Sequence, residues 1–325
     1  MALREYIAKR LGQLVITYLA FLTILFVMFR QLPGDPLSVY MHDGIDPQAR
    51  QDAIERMGLD EPLHVQYLDY LQQLATGDFG TSFFYNTPVS DVIWLKFWNT
   101  IFLMGAAFFL AYGFGILFGG YLGWTRGSKG EKAGIVATLI ARSSPDFWIG
   151  IVVLMIFTFG LGWFPAGGMR TPAAEINGFW DRYLAWDFVY HMILPVLTGA
   201  IYYMTTPVLL MRSSMINNLG SDFIEIKRAE GLPNRVILYK HAVRNSILPM
   251  TTVVATLVGF AVGGALVIEV VFNWPGMGRL MVNSVARNDY PLAQAVFLIM
   301  GTLVIFMNFV ADIAYVYLDP RVKYD

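Results

Sequence analysis

The sequence predicts an all-α integral membrane protein with six transmembrane helices. Hydrophobic residues make up 56% of its 325 residues and charged residues only 14%, with a mean hydropathy of +0.52. Soluble domains carry about 25% charged residues, so this chain has too little charge for a soluble protein. Its polar stretches alternate with six long apolar runs. The absence of cysteine excludes disulfides, thiolate catalysis and cysteine metal sites.

The first apolar run follows Arg4, Lys9 and Arg10 and is long enough to cross about 30 Å of hydrocarbon as a helix. It is too long for the apolar region of a signal peptide and lacks a small-residue cleavage pattern, so we expect it to be retained. The six runs cover approximately residues 11–29, 101–124, 134–162, 189–211, 246–271 and 291–315.

The distribution of Lys and Arg predicts the orientation. Fourteen of them fall in the N-terminus, the 125–134 turn, the 212–245 segment and the C-terminal tail, against eight in the other loops. Because cytoplasmic loops carry the excess of basic residues, we expect both termini and residues 212–245 in the cytoplasm. The chain then divides into an N-terminus with the first span (1–30), an extracytoplasmic section (31–99) and a five-helix core (100–325).

The extracytoplasmic section has helical patterns of its own. Apolar residues recur at helical spacing in residues 63–74, which a GDFG turn follows, and residues 47–57 also have helical character. We therefore expect a small helical cap that rests on the outer mouth of the bundle.

Glycines recur at four-residue spacing in two of the runs. The second run holds Gly115, Gly119 and Gly123, and the fifth holds Gly259 and Gly263. In lipid, small residues at this spacing let helix backbones approach closely. We expect helix packing at these positions rather than the lining of a pore.

The stretch from Asp222 to Pro249 is a polar island between the fourth and fifth runs. Asp222 and Glu225 have the spacing of a capping pair for a first helix. Gly231 suits the left-handed position that ends this helix, and Pro233 fits the first turn of a second one. Two interpretations are open: an amphipathic hairpin in the membrane interface, or a docking element for a soluble subunit.

Ionisable residues inside a membrane are costly and are candidate functional residues. Arg142 and Asp146 lie four residues apart in the third run, which predicts a mutually neutralising pair on one helix face. Glu269 and Asp312 lie near the ends of their spans, where snorkelling or inter-helix hydrogen bonds are expected. The four histidines form no HExxH motif and the chain has no GxxxxGK[ST] loop, so neither a metal site nor a nucleotide site is predicted.

A series of motifs along nearly the whole chain indicates one family. They are LPGDP (32–36), MGLDEPLHVQYLDYL (57–71), GDFGTS (77–82), TPV (87–89), HMILP (191–195), RSSM (212–215), GGALVIEVVFNWPGMGRL (263–280), DYP (289–291), Asn308 with Asp312 and Tyr315, and LDPR (318–321). In this order the chain resembles the channel-forming permease subunit of the dipeptide/oligopeptide branch of ATP-binding-cassette importers. LPGDP and the long outer section are similar to the member of the permease heterodimer that carries an extracytoplasmic cap.

The resemblance implies an assembly of several chains in the cell membrane. This chain would pair with a homologous permease and with two cytoplasmic ATPase subunits, and an extracytoplasmic binding protein would deliver the cargo. ATP and Mg²⁺ would be held by the ATPase subunits, so this chain would have no cofactor of its own and would not itself be an enzyme.

The resemblance also implies that residues 212–245, called the coupling segment below, dock on the ATPase. Glu225 and Gly231 keep the Glu and Gly of the family motif, whereas Ile226 and Lys227 replace its two alanines and Pro233 replaces a usual serine. Two roles are open for Glu225: a bridge to a basic group on the ATPase, or a cap on its own helix. The implied coupling residues are Asp222, Phe223, Glu225, Ala229, Gly231, Leu232, His241, Arg244 and Asn245.

The candidates for the translocation pathway are Arg142, Asp146 and Glu269. Family members tend to have an uncharged residue at the Asp146 position, so the alternative to its pairing with Arg142 is a role in cargo preference. Short peptides are the expected cargo, and close relatives also carry oligosaccharides or nickel chelates. An ion-gradient-driven transporter is the alternative class, but the two halves of the chain show no convincing inverted repeat. A membrane enzyme lacks support because no nucleophile and base are recognisable.

Overall fold

The computed structural model describes residues 3–31, 60–172, 178–247, 250 and 266–318. The helices named below are α1 (Leu3–Gln31), α2 (Leu63–Thr76), α3 (Val89–Trp124), α4 (Lys129–Ser143), α5 (Asp146–Leu154) with a following π-helical turn (Met155–Gly160), α6 (Phe179–Leu184), α7 (Trp186–Tyr203), α8 (Thr205–Leu219), α9 (Asp222–Ala229), α10 (Asn234–Val236) with a following π-helical turn (Ile237–Ala242), α11 (Val243–Ser246), α12 (Met277–Ala286) and α13 (Tyr290–Leu318). In this part of the chain the only strand-like contact is an isolated bridge between Thr81 and Pro88. The predicted all-α membrane architecture is confirmed.

Three helices are long and apolar enough to cross a membrane unbroken, namely residues Glu5–Gln31, Val89–Trp124 and Tyr290–Ile313. The third and fourth apolar runs are bent instead: α4 meets α5 at 106°, and α7 meets α8 at 41°. If each bent pair is one span, the described residues contain up to five spans. The fifth run lies largely outside the described residues, so the count of six stays a prediction.

Helix α3 begins well before the predicted second span. Pro88 is at its N-cap, and Val89 and Ile93 are buried in a cluster with residues of α12 and α13. Asn99 and Thr100 stand directly before the apolar run without ending the helix, because both are buried and have hydrogen-bond partners. Asn99, for example, donates a hydrogen bond from Nδ2 to the carbonyl of Pro275 at 2.8 Å. The predicted boundary between outer section and core therefore falls inside one helix.

The predicted Arg142–Asp146 pair on one helix face is wrong. Ser144 and Pro145 are extended, with ψ of 134° and 145°, and separate α4 from α5. Proline has no N–H and disfavours helical geometry in the residue before it, which explains the break. Within the described part of the chain neither Arg142 nor Asp146 forms an ion pair. The Asp146 carboxylate instead accepts a hydrogen bond from the N–H of Phe147 at 2.8 Å.

The glycines of α3 pack against α8, as the spacing predicts. A Cβ atom at Gly123 would lie 2.6 Å from the Cβ of Met215, and one at Gly119 would overlap the carbonyl oxygen of Val208. Gly115 makes a similar approach to α8. Only glycine allows these two backbones to come so close. The glycine pair predicted in the fifth run lies outside the described residues.

The outer section contributes helix α2 where the amphipathic pattern predicts it. α2 lies against α1, and the hydroxyls of Thr23 and Tyr67 are 2.7 Å apart. Gly77 and Gly80 follow with a φ of 74° each, which confirms the predicted turn. The other helical stretch, residues 47–57, lies outside the described residues, so the complete cap stays a prediction.

A buried carboxylate holds the loop between α2 and α3. Asp289, 1% exposed, accepts hydrogen bonds from the Ser82 hydroxyl at 2.5 Å and from the N–H groups of Phe83 and Phe84 at 3.1 Å each. The guanidinium of Arg287 lies 3.6 Å from the ring centroid of Phe84. This loop, called the outer latch below, is thus fastened to the start of α13.

Candidate functional site

The coupling segment begins inside helix α8, because Arg212 still belongs to that helix. α8 ends at Leu219, and Ser221 is the N-cap of α9 with extended φ and ψ of -88° and 144°. Asp222 is already helical, and no side chain caps this helix end. The predicted capping pair of Asp222 and Glu225 is therefore wrong.

The bend of the coupling segment lies at Gly231, as predicted. Its φ is +74°, a conformation that favours glycine, and its N–H donates to the carbonyl of Arg228 at 3.0 Å. Pro233 is at the N-cap of α10 rather than in its first turn, and its carbonyl accepts from the N–H groups of Val236 and Ile237. The two helices are thus joined by a turn with a defined geometry.

One face of the coupling segment is built into the helix bundle. Ile224 of α9 is buried with Ile237 and Leu238, and this cluster includes Met211 and Met215 of α8. Further along, the Asn218 side chain donates to the Ser246 hydroxyl at 2.7 Å. The buried apolar cluster and this hydrogen bond together fix the segment to the end of α8.

The other face is exposed and carries most of the predicted coupling residues. Seven of the nine are exposed, whereas Leu232 and His241 are half-buried. The rings of Phe223 and His241 are 5.9 Å apart. Ile226, 56% exposed, and Tyr239, 52% exposed, add apolar area to the same segment. Sequence reasoning missed these last two as surface residues, although the replacement of alanine by Ile226 was visible.

The side chain of Glu225 forms no hydrogen bond or ion pair within the described part of the chain. Its neighbour Lys227 is instead paired with Glu230 at 2.8 Å. Of the two roles open for Glu225, the cap on its own helix is excluded here, and a bridge to a partner remains.

A partly buried ion pair at the start of α4 was missed by sequence reasoning. Arg212 donates from Nε and Nη2 to Oε1 of Glu131, at 2.9 and 2.5 Å. Oε2 of the same carboxylate accepts from the N–H of Gly127 at 2.5 Å, and the Ser128 hydroxyl caps α4 by accepting from the N–H of Glu131. The S-x-x-E pattern of a capping box was visible in the sequence, but its partner on α8 was not.

The pathway candidates lie in two places. Arg142 is exposed and Asp146 is half-buried, and both lie at the break between α4 and α5. Glu269 is fully buried: its Oε1 accepts from the Thr100 hydroxyl at 2.5 Å and its Oε2 from the N–H of Arg279 at 2.9 Å. The expected inter-helix hydrogen bonding is therefore confirmed for Glu269, which ties α3 to α12.

Asp312, the other acid near a span end, pairs with Arg10 of α1 at 3.0 Å. This is again a contact between helices. Among the residues that the structure describes, no group of three or more His, Asp or Glu side chains is arranged to hold a metal ion.

Comparison with known families decides the identity. The description "Binding-protein-dependent transport system inner membrane component" belongs to a family model that matches residues 115–324, and the N-terminal model of the same kind of component matches residues 3–104. The chain belongs to this family. It is therefore a multi-pass permease of the inner-membrane type, as the motifs indicate.

Relatives of this permease match it over nearly its full length. The oligopeptide transport system permease protein AppB of Bacillus subtilis is 36% identical over 320 residues, which cover 98% of this chain and 99% of that protein. The di/tripeptide transport system permease protein DppB of Pseudomonas aeruginosa is 35% identical, with the same coverage. The glutathione transport system permease protein GsiC of Salmonella typhimurium is 33% identical, also over 98% of this chain and 99% of the relative.

Proposed function

We propose that this permease is one of two homologous membrane subunits of an ATP-driven importer that takes its cargo from a binding protein. The two permeases form the translocation pathway between them and open it alternately to either side of the membrane. Two cytoplasmic ATPase subunits hold ATP and Mg²⁺, and the binding protein delivers cargo outside. The match of both family models supports this assignment.

The observation that carries the proposal is the two-faced build of the coupling segment. Its exposed face presents Phe223, Glu225 and Ile226 to a partner, while Ile224 and Ile237 are buried against α8. A movement imposed on the exposed face by closure of the ATPase subunits passes to α8, because the buried contacts resist separation. α8 in turn is locked to α3 by the glycine contacts.

The orientation in the membrane follows from this role. The coupling segment and both termini lie in the cytoplasm, and the outer latch and α2 lie on the side of the binding protein. The excess of Lys and Arg in the cytoplasmic stretches supports this orientation.

Peptides are the proposed cargo. The names of the relatives specify oligopeptides, di- and tripeptides, and glutathione. Mass spectrometry of the ligand retained by the cognate binding protein tests the proposal. A peptide is expected, and an oligosaccharide or a nickel chelate would contradict the cargo without contradicting the transport mechanism.

Substitution of Gly231 tests the coupling role. In Gly231→Val, a Cβ would meet no atom within 4 Å, so the effect comes from the backbone alone. A left-handed conformation costs a non-glycine residue about 1–2 kcal/mol. The bend should therefore relax and redirect α10. We expect normal amounts of permease in the membrane, but loss of transport and of the ATPase stimulation by loaded binding protein.

The matched control is Gly220→Val, in the same segment. Gly220 has an ordinary φ of -87° and a Cβ there would lie 4.0 Å from the nearest atom, so the same side chain adds no comparable strain. Charge reversal at Glu225 should have a milder effect than Gly231→Val, since an exposed ion pair contributes only about 0–1 kcal/mol. Unchanged transport and stimulation in Gly231→Val would mean that the segment is an interfacial hairpin without a coupling role.

A further inference from the structure

We propose that the Glu131–Arg212 pair is the positioning link that passes movement of the coupling segment to the bent third span, α4 with α5. This inference rests on the proposed coupling function. The pair would thereby set the position of the break that carries Arg142 and Asp146, two of the three pathway candidates.

The carboxylate of Glu131 is buried, and both of its oxygens accept hydrogen bonds. Its side chain is 4% exposed, and each carboxylate oxygen has a partner: Arg212 on Oε1 and the N–H of Gly127 on Oε2. A helix cap needs only the contacts at Gly127 and Ser128. The additional two-nitrogen contact from Arg212 is what joins α4 to another helix.

Arg212 lies on α8, which ends at Leu219 and passes through one short turn into α9. Its carbonyl oxygen would lie 3.0 Å from a Cβ at Gly123, so the backbone of α8 is pressed against α3 at the level of the pair. Any displacement of α8 by the coupling segment therefore moves the guanidinium that holds Glu131.

Glu131 is the one charged residue that is buried in α4, a helix that also contacts α3, α7 and α8. The buried residues of α4 are Glu131 and Thr138, and the Thr138 hydroxyl donates to the carbonyl of Gly134 within the same helix. A close approach of Gly134 to Leu122 of α3 lies near the start of the helix. Further along, Val136, Leu139 and Ile140 face outward. The ion pair that joins α4 to α8 thus lies at the start of the helix, away from the break.

The third span is bent between its two helices. α4 leads directly to the extended residues Ser144 and Pro145, where the chain turns by 106° into α5. α5 is itself packed on the bundle, since a Cβ at Gly150 would touch Val271, Phe272 and Thr198. A shift of α4 at its held end is therefore absorbed at the break, where Arg142 and Asp146 lie.

The test uses the complete reconstituted complex with loaded binding protein. Arg212→Gln removes the inter-helix link and leaves the capping contacts of Glu131 in place. We expect it to lower the ratio of stimulated to basal ATP hydrolysis, together with cargo uptake, by roughly fivefold or more, the lower range of measured coupling between sites. Ser128→Ala is the matched control, because it weakens the same helix start and keeps the link; it should retain the ratio.

A second variant covers the case in which Arg212→Gln does not accumulate because a buried carboxylate is left without its partner. Glu131→Gln combined with Arg212→Met removes both charges and leaves position 212 without a hydrogen-bond donor, so it should fold and still lose stimulation. An unchanged ratio in this double variant would overturn the inference. So would an equal loss in Ser128→Ala, because it would show that only the stability of the helix start matters. If Gly231→Val uncouples while the double variant does not, the inference fails and the proposed function stands.

Discussion

Removal of Asp289 should release the outer latch. Asp289→Ala takes away the acceptor of four hydrogen bonds. Three come from the loop, from the Ser82 hydroxyl and the N–H groups of Phe83 and Phe84, and the fourth comes from the N–H of Leu292 at the start of α13. The residue is buried, so water does not replace the carboxylate while the loop stays in place. The loop can satisfy these groups only if it moves out into solvent.

The size of the effect follows from the type of bond. Hydrogen bonds to a charged group contribute about 1.5–3 kcal/mol each. Three of them at the low end give roughly 4 kcal/mol for closure of the loop, and since 1.4 kcal/mol is a factor of ten, the opening equilibrium should rise about a thousandfold. The fold should otherwise persist, because the latch is a short loop and not part of the helix bundle.

Hydrogen exchange of the purified permease measures this opening directly. The amides of Phe83 and Phe84 should exchange faster by up to about a thousandfold in Asp289→Ala, because exchange of a protected amide follows local opening. Asp78→Ala is the matched control: its carboxylate accepts one bond, from the exposed N–H of Gly80 at 2.9 Å, and its loss should leave the latch closed. Unchanged exchange at Phe83 and Phe84 in Asp289→Ala would refute the claim that Asp289 holds this loop closed.

Three further predictions concern topology and packing. Because the chain has no native cysteine, single cysteines at Asn86 and Asn234 should react with an impermeant thiol reagent from opposite sides of the membrane, and labelling of both from one side would overturn the six-span topology. Gly119→Val should lower the free energy of unfolding by about 1–3 kcal/mol, because its Cβ would overlap the carbonyl of Val208. Gly113→Val on the same helix should have a smaller effect, because its Cβ meets no atom within 4 Å. Asp146→Asn should change the free energy of unfolding by less than about 1 kcal/mol, and a larger loss that Arg142→Gln rescues would restore the rejected pair.

Local signals in the sequence predicted much of what the structure contains. The glycine spacing of α3, the amphipathic pattern of α2 and the glycine at position 231 are all sequence signals that lie within a few helical turns. For such features the residue type favours the geometry: the absence of a Cβ in glycine allows the close approach of α3 to α8 and makes a φ of +74° at position 231 favourable. The corresponding predictions needed no knowledge of the tertiary structure.

Features that depend on distant partners could not be predicted in this way. Asn99 and Thr100 directly precede the second apolar run in the sequence, yet both are buried inside α3, where Pro275 and Glu269 provide hydrogen-bond partners. Similarly, the capping box at Ser128 was visible, but its link to α8 joins residues far apart in the chain. The break at Pro145 was visible as an interruption, whereas its angle depends on how α5 packs against the bundle.

The charged groups of the described residues follow one pattern that bears on the pathway. Four acids that are buried or near span ends each join elements far apart in the chain; they are Glu131 with Arg212, Glu269 with Thr100 and Arg279, Asp289 with the outer latch, and Asp312 with Arg10. Each of these contacts joins two elements of the bundle, so the four acids hold the helices together, although the Asp312 side chain is still 40% exposed. Arg142 and Asp146 differ, because the break at Pro145 separates them and neither has an ion-pair partner in the described part of the chain. Ionisable residues inside a membrane are costly and often mark a substrate pathway. Arg142 and Asp146 therefore stay predicted pathway candidates, and so does Glu269, whose buried hydrogen bonds also fit a role in helix packing.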